Sequence, residues 1–87
     1  DYGITDTIRL TYNIDTGITS EAPILYLSID GVETQHTSNI GDNYIDLQAS
    51  DFGLGTHAVI MYAKVSKYTS RRISFNLVIV STTELYL

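Results

Sequence analysis

The sequence predicts an all-β domain, an antiparallel β-sandwich of about six or seven strands. Apolar and polar residues alternate with period two along most of the chain, which is the repeat of a half-buried strand. Ile, Val, Thr and Tyr, which suit a pleated surface, are abundant, while strong helix formers are scarce. Turn-forming clusters recur about every 8–12 residues with no helical stretch between them, the spacing of a sandwich.

In chain order, Ile8, Leu10, Tyr12 and Ile14 alternate with Thr7, Arg9, Thr11 and Asn13, giving a strand over 6–14. Only Asp1 to Thr5 precede it, too few for a full leading strand. Leu25, Leu27 and Ile29 alternate with Tyr26, Ser28 and Asp30, and the single proline, Pro23, falls where that strand begins and a missing N–H is tolerated. Asp30-Gly31 predicts a tight hairpin, because Gly accepts positive φ, with Val32 to Thr37 returning. The cluster Ser38 to Asp42 precedes a short strand, Tyr44 to Leu47. Asp51 to Gly55 is a corner with two glycines, from which His57 to Val65 emerges with Val59, Met61 and Ala63 on one face. Lys67 to Arg71 reads as a polar turn, and Ile73, Phe75, Leu77 and Ile79 as the inner face of the last strand. The predicted core is Ile8, Leu10, Tyr12, Leu25, Leu27, Ile29, Leu47, Phe52, Val59, Met61, Ala63, Phe75, Leu77 and Ile79. Residues 1–80 form one domain in this reading, and 81–87 a tail or linker within a longer protein.

Composition bounds the function. With 87 residues, 44% hydrophobic and 17% charged, the chain is globular, and folding is expected to bury roughly 64% of its surface, enough for one thin core. Cysteine is absent, so neither a disulfide nor a thiolate zinc site is available. The net charge of −5 argues against nucleic-acid or anionic-membrane partners. The charge is uneven: residues 1–63 carry nine carboxylates and one base, whereas 64–87 carry four bases and one carboxylate. No apolar run approaches the roughly 18–20 residues of a membrane-spanning helix.

Three segments, Ile29-Asp30-Gly31, Tyr44-Ile45-Asp46-Leu47 and Gly55-Thr56-His57 running into Ala63, together resemble the bacterial Ig-like domains. These modules occur in tandem in secreted bacterial surface proteins and in phage tail and virion proteins. The resemblance covers residues 6–80 and implies strands B (6–14), C (24–30), C′ (32–37), E (43–48), F (57–65) and G (72–80). It implies a fold but no activity. The chain departs from the pattern in its short first strand, and in a late hairpin, Lys64 to Arg72, without the Asp-x-x-Gly-Asn turn of many relatives.

Candidate chemistry is sparse. His36 and His57 are the only near-neutral titrators, and the resemblance implies that His57 pins its corner by a side-chain hydrogen bond. Asp42 with Asp46, and Asp46 with Asp51, are carboxylate pairs, but glycosidase chemistry needs a cleft and one raised pKa. Asn13-x-Asp15-x-Gly17 begins like a calcium loop, yet Leu25 stands near the place of its bidentate Glu; an irregular oxygen site at Asp15 and Glu21 stays open beside a plain capped turn. Lys67, Arg71 and Arg72 fall at the same end as Asp15 and Glu21, where charge pairing across the loops, or contact with an acidic neighbour, accounts for them.

If the inner positions are assigned correctly, Tyr26, Ile60, Tyr62, Val78 and Val80 share the outer face of the C–F–G sheet. Tyr and Val also simply suit strands. The expected function is therefore a non-catalytic module, a spacer or assembly contact in a phage virion protein (tail, fibre or decoration), without metal or other cofactor. The partners are neighbouring domains or subunits, not nucleic acid or membrane. The alternative is a secreted bacterial surface module that binds a cell-surface glycan or a receptor through Tyr26, Tyr62 and Tyr44, a reading weakened by the absence of Trp. Either location is extracellular or virion.

Overall fold

The computed structural model describes residues 2–15 and 21–81. Its strands are β1 (Tyr2–Gly3), β2 (Thr7–Ile14), β3 (Ile24–Ile29), β4 (Val32–Thr37), β5 (Gly41–Gln48), β6 (Gly55–Val65), β7 (Tyr68–Thr69) and β8 (Ile73–Val80). One 3₁₀ turn, Ala49–Asp51, follows β5. The chain is thus nearly all β, as the alternation predicts. Residues 16–20, which include Gly17 of the calcium-like stretch, and residues 82–87, where the sequence predicts a tail or linker, lie outside the described residues.

The strands form two sheets. The larger runs β1-β8-β6-β3-β4, with β7 attached to the end of β6; the smaller is β2-β5. The expectation of a purely antiparallel arrangement is corrected at one place: β1 pairs with β8 in parallel, Tyr2 opposite Ile79 and Gly3 opposite Val80. The cause is a turn centred on Asp6. Its carboxylate accepts the Gly3 N–H (2.7 Å) and its own N–H donates to the Gly3 carbonyl (3.0 Å), so the chain crosses from one sheet to the other instead of folding back as a hairpin. This also places the short leading segment, which is a strand of two residues against the edge of β8.

The β3–β4 hairpin closes as the Asp-Gly signal predicts. Asp30 and Gly31 both take positive φ (+52° and +87°), the pattern of a tight primed turn whose twist matches its strands. The late hairpin differs from expectation. The turn is Ser66-Lys67, with Ser66 at φ +54°, and Tyr68–Thr69 already pair with Lys64 and Val65. Between Thr69 and Ile73 the returning strand holds one residue more than its partner between Lys64 and Met61. Ser70 bridges this bulge: its N–H donates to the Ala63 carbonyl and its hydroxyl oxygen accepts the Ala63 N–H, both at 2.8 Å. The bulge resets the parity, so that Ile73, Phe75, Leu77 and Ile79 turn toward the small sheet.

One core joins the two sheets. Ile8, Ile45 and Ala49 meet Leu25, Leu27, Ile29, Val59, Met61, Leu77 and Ile79, while Leu10, Tyr12, Leu47, Phe52 and Ala63 pack at its margin. Tyr12 ties the sheets by its tip. Its hydroxyl donates to buried Ser38 Oγ (2.7 Å), whose own proton goes to the His36 carbonyl (3.1 Å). Phe75 does not join the core, being 36% exposed, with Ile73 beside it at 62%. Both point inward, but the two-stranded small sheet is too narrow to cover them.

Candidate functional site

The outer face of the large sheet carries Tyr26, Ile60, Tyr62 and Val78, all on the side away from the small sheet. Register decides which of them meet. Tyr26 on β3 stands directly opposite Tyr62 on β6, and their rings stack with centroids 5.0 Å apart and planes within 6°. Ile60 precedes Tyr62 by two residues along β6 and is 37% exposed. Val78 stands opposite Thr56, separated from Ile60 by Ala58 and Asn76, so the apolar face is interrupted rather than continuous.

Two cations, Lys64 and Arg72, gather on the tyrosine pair, although the sequence reading groups Arg72 with the loop charges Lys67, Arg71, Asp15 and Glu21. Lys64 Nζ lies 5.1 Å from the Tyr26 ring and 5.9 Å from the Tyr62 ring, and the Arg72 guanidinium lies 4.9 Å over Tyr62. The Tyr62 hydroxyl donates to the Glu33 carboxylate at 3.3–3.4 Å. Tyr26 and Tyr62 are half-buried, and each cation over a ring at the protein surface is worth about 0.5–1 kcal/mol. Lys64 was legible as the next outward position after Tyr62; Arg72 was not, because its place depends on the bulge. The result is a pair of rings fixed by each other and by their neighbours, not free platforms.

On the small sheet, Arg9 forms a two-point bridge to Asp46 (Nε–Oδ1 2.8 Å, Nη2–Oδ2 3.0 Å) and lies 4.1 Å over the Tyr44 ring. This hydrogen bonding and charge hold the Asp46 carboxyl below its ordinary value and raise Arg9. A general acid needs the opposite shift. Asp42, on the same face of β5 as Asp46, accepts from Asn13 Nδ2 at 2.9 Å, so each of the two has its own partner, and Asp51 sits apart in the 3₁₀ turn. Among the described residues no three His, Asp or Glu side chains converge as metal ligands would.

The two histidines have different settings. His36 Nε2 is 2.9 Å from Thr34 Oγ1 on the same strand. His57 is buried and pins its corner, its Nε2 donating to the Gly53 carbonyl (2.9 Å) where Gly53 turns at φ +84°. Its Nδ1 lies 2.5 Å from Asp30 Oδ2, on the hairpin turn 27 residues away, and the other Asp30 oxygen accepts the Ala58 N–H at 3.0 Å. No local pattern joins His57 to Asp30.

A third feature is an open apolar groove of about 830 Å³ between β2 and the β6–β8 half of the large sheet. Compared with models of known protein families, with curated proteins and with solved structures, the chain matches none.

Proposed function

We propose that the chain is a non-catalytic Ig-like sandwich module that serves as an assembly contact or spacer in a virion protein, with the outer face of the large sheet as its contact surface. The strand order supports the Ig-like part: β1, β8, β6, β3 and β4 take the places of A′, G, F, C and C′, and β2 and β5 those of B and E. The observation that carries the contact surface is the stacked Tyr26–Tyr62 pair beside exposed Ile60. Rigid aromatic groups offer large contact area at little cost in side-chain entropy, as anchors at protein interfaces do. The virion setting rests on the sequence resemblance and the Thr-, Ile- and Tyr-rich composition.

Glycan binding is the weaker reading, because the two rings cover each other and Lys64 and Arg72 lie over them. The test is the solution mass of the intact chain by light scattering over a range of concentrations. Self-association that the double variant Tyr26→Ser/Tyr62→Ser reduces is the expected result; association equal in wild type and double variant, or a monomer throughout, overturns the contact surface.

A further inference from the structure

Asp30-Gly31 forms the β3–β4 turn, and it is the one place in the sequence where an aspartate precedes a glycine. That pair suits a primed turn because glycine accepts positive φ. It also carries a chemical liability. The backbone nitrogen after an aspartate can attack the aspartyl Cγ, and glycine, with no Cβ, leaves that nitrogen unscreened. A Cβ on Gly31 would meet nothing within 4 Å, and the Asp30 side chain is 49% exposed, so neither crowding nor exclusion of water prevents the reaction.

The restraint comes from β6. Asp30 Oδ2 faces His57 Nδ1 (2.5 Å), Oδ1 accepts the Ala58 N–H (3.0 Å), and the Asp30 N–H donates to the Ala58 carbonyl (2.9 Å). Three bonds tie one turn residue to two successive residues of the neighbouring strand. Bringing Cγ onto the Gly31 nitrogen gives up both carboxylate bonds, because one oxygen must leave and the other must swing with Cγ. His57 is not free to follow, since its ring is buried and its Nε2 is held by the Gly53 carbonyl (2.9 Å).

We propose that Asp30-Gly31 is a latent isomerisation site, kept from reacting by the bonds of His57 and Ala58 to the Asp30 carboxylate. In the reaction the Gly31 nitrogen bonds to Asp30 Cγ and loses its proton to solvent. One carboxylate oxygen takes up protons from solvent and leaves as water, and a succinimide ring remains. Water then adds to either ring carbonyl. Breaking the Cγ–N bond restores aspartate. Breaking the bond between the Asp30 main-chain carbonyl carbon and the Gly31 nitrogen leaves the chain running through Cγ, with the α-carboxylate as its side group. One water leaves and one returns, so the net change is a rearrangement that needs no oxidant or cofactor. The product has an extra main-chain atom in the turn and a carboxylate one carbon shorter in reach. The primed turn matches its strands with two residues at positive φ, and the added atom removes that match. Isomerisation therefore detaches the β3–β4 hairpin from the Gly53 corner that His57 links to it.

The test follows the intact chain at neutral pH by peptide mapping that separates isoaspartyl from aspartyl forms at Asp30. Wild type unfolded in urea gives the unrestrained rate. The unfolded fraction of each variant, multiplied by that rate, is subtracted, so that reaction from the folded state is compared. Folded wild type should isomerise far more slowly than the urea-unfolded chain. His57→Gln should raise the folded-state rate on the order of tenfold, the weight of one hydrogen bond to a charged group. Adding Gly31→Ala to His57→Gln should abolish the rise, which assigns it to ring closure at this pair. A folded-state rate equal in wild type and His57→Gln overturns the proposal. Folded wild type that reacts as fast as the urea-unfolded chain also overturns it, whether or not His57→Gln folds.

Discussion

Both ring nitrogens of His57 face acceptors, Asp30 Oδ2 at Nδ1 (2.5 Å) and the Gly53 carbonyl at Nε2 (2.9 Å). A carbonyl can only accept and an ionised carboxylate can only accept, so the geometry is satisfied by the doubly protonated imidazolium. The hydrogen bond to Asp30, then that to Gly53, raise the imidazole above its ordinary value, against burial, while Asp30 is lowered by His57 and the Ala58 N–H.

The pH dependence follows from these directions. The His57 contribution is complete below its ordinary value of 6.5 and is lost as pH rises through the raised folded value. The Asp30 contribution is present above its ordinary value of 3.8 and is lost as pH falls through the lowered folded value. The pair therefore stabilises most between these two ordinary values. Urea midpoints of wild type should fall more between about pH 5.5 and about pH 9 than those of His57→Gln. Equal falls in both would show that the imidazolium contributes nothing.

The core predicts a contrast between two inward-facing residues. Leu27 is 2% exposed between the sheets, whereas Phe75 is 36% exposed on the uncovered flank. Leu27→Ala should cost about 2–5 kcal/mol, a large share of the stability of so small a domain. Phe75→Ala in the monomer should cost less than half of what Leu27→Ala does. Chemical denaturation of the two variants at low protein concentration compares them, and similar losses would mean that Phe75 is covered in the monomer.

The two hairpin turns should respond in opposite directions. At Gly31 (φ +87°) a Cβ would meet nothing within 4 Å, so Gly31→Ala costs only the left-handed conformation, about 1–2 kcal/mol. Ser66 already bears that cost at φ +54°, and Ser66→Gly should raise stability by about 0.5 kcal/mol after the added freedom of the unfolded chain is counted. Melting temperatures that move the same way would contradict this.

The tyrosine stack is measurable by a double-mutant cycle. Tyr26→Ala, Tyr62→Ala and the double variant should give a coupling of about 0.5–1.5 kcal/mol, the range of stacked aromatic pairs. A coupling near zero would mean that the rings are neighbours without attraction.

The strands were legible because period-two alternation is local, and the β3–β4 turn because Asp30-Gly31 fixes backbone signs within two residues. Alternation assigns a side but not a cover. It placed Phe75 inward correctly, yet whether anything lies over Phe75 depends on the width of a sheet built from residues 7–14 and 41–48. Ile45 shares the inward parity of Leu47 and could have been read from it; Ala49 could not, because it is buried by a 3₁₀ turn that breaks the repeat. Of the outer face, Tyr26, Ile60, Tyr62 and Val78 were placed by the same parity. Their separation into a tyrosine cluster and a remote valine needed the register, and the Arg72 contact needed a one-residue bulge that carries no compositional mark.

The parallel pairing of β1 with β8 has a mechanical meaning. A pull on the chain through Tyr2 and through Ser81 draws the two strands past each other along their length, because the start of one and the end of the other lie at opposite ends of the pair. The Tyr2–Ile79 and Gly3–Val80 pairing and the bond from the Ile4 N–H to the Val80 carbonyl are then loaded together in shear rather than opened in turn. Under such a pull, a contact of two residues would act as a clamp between its two points of application.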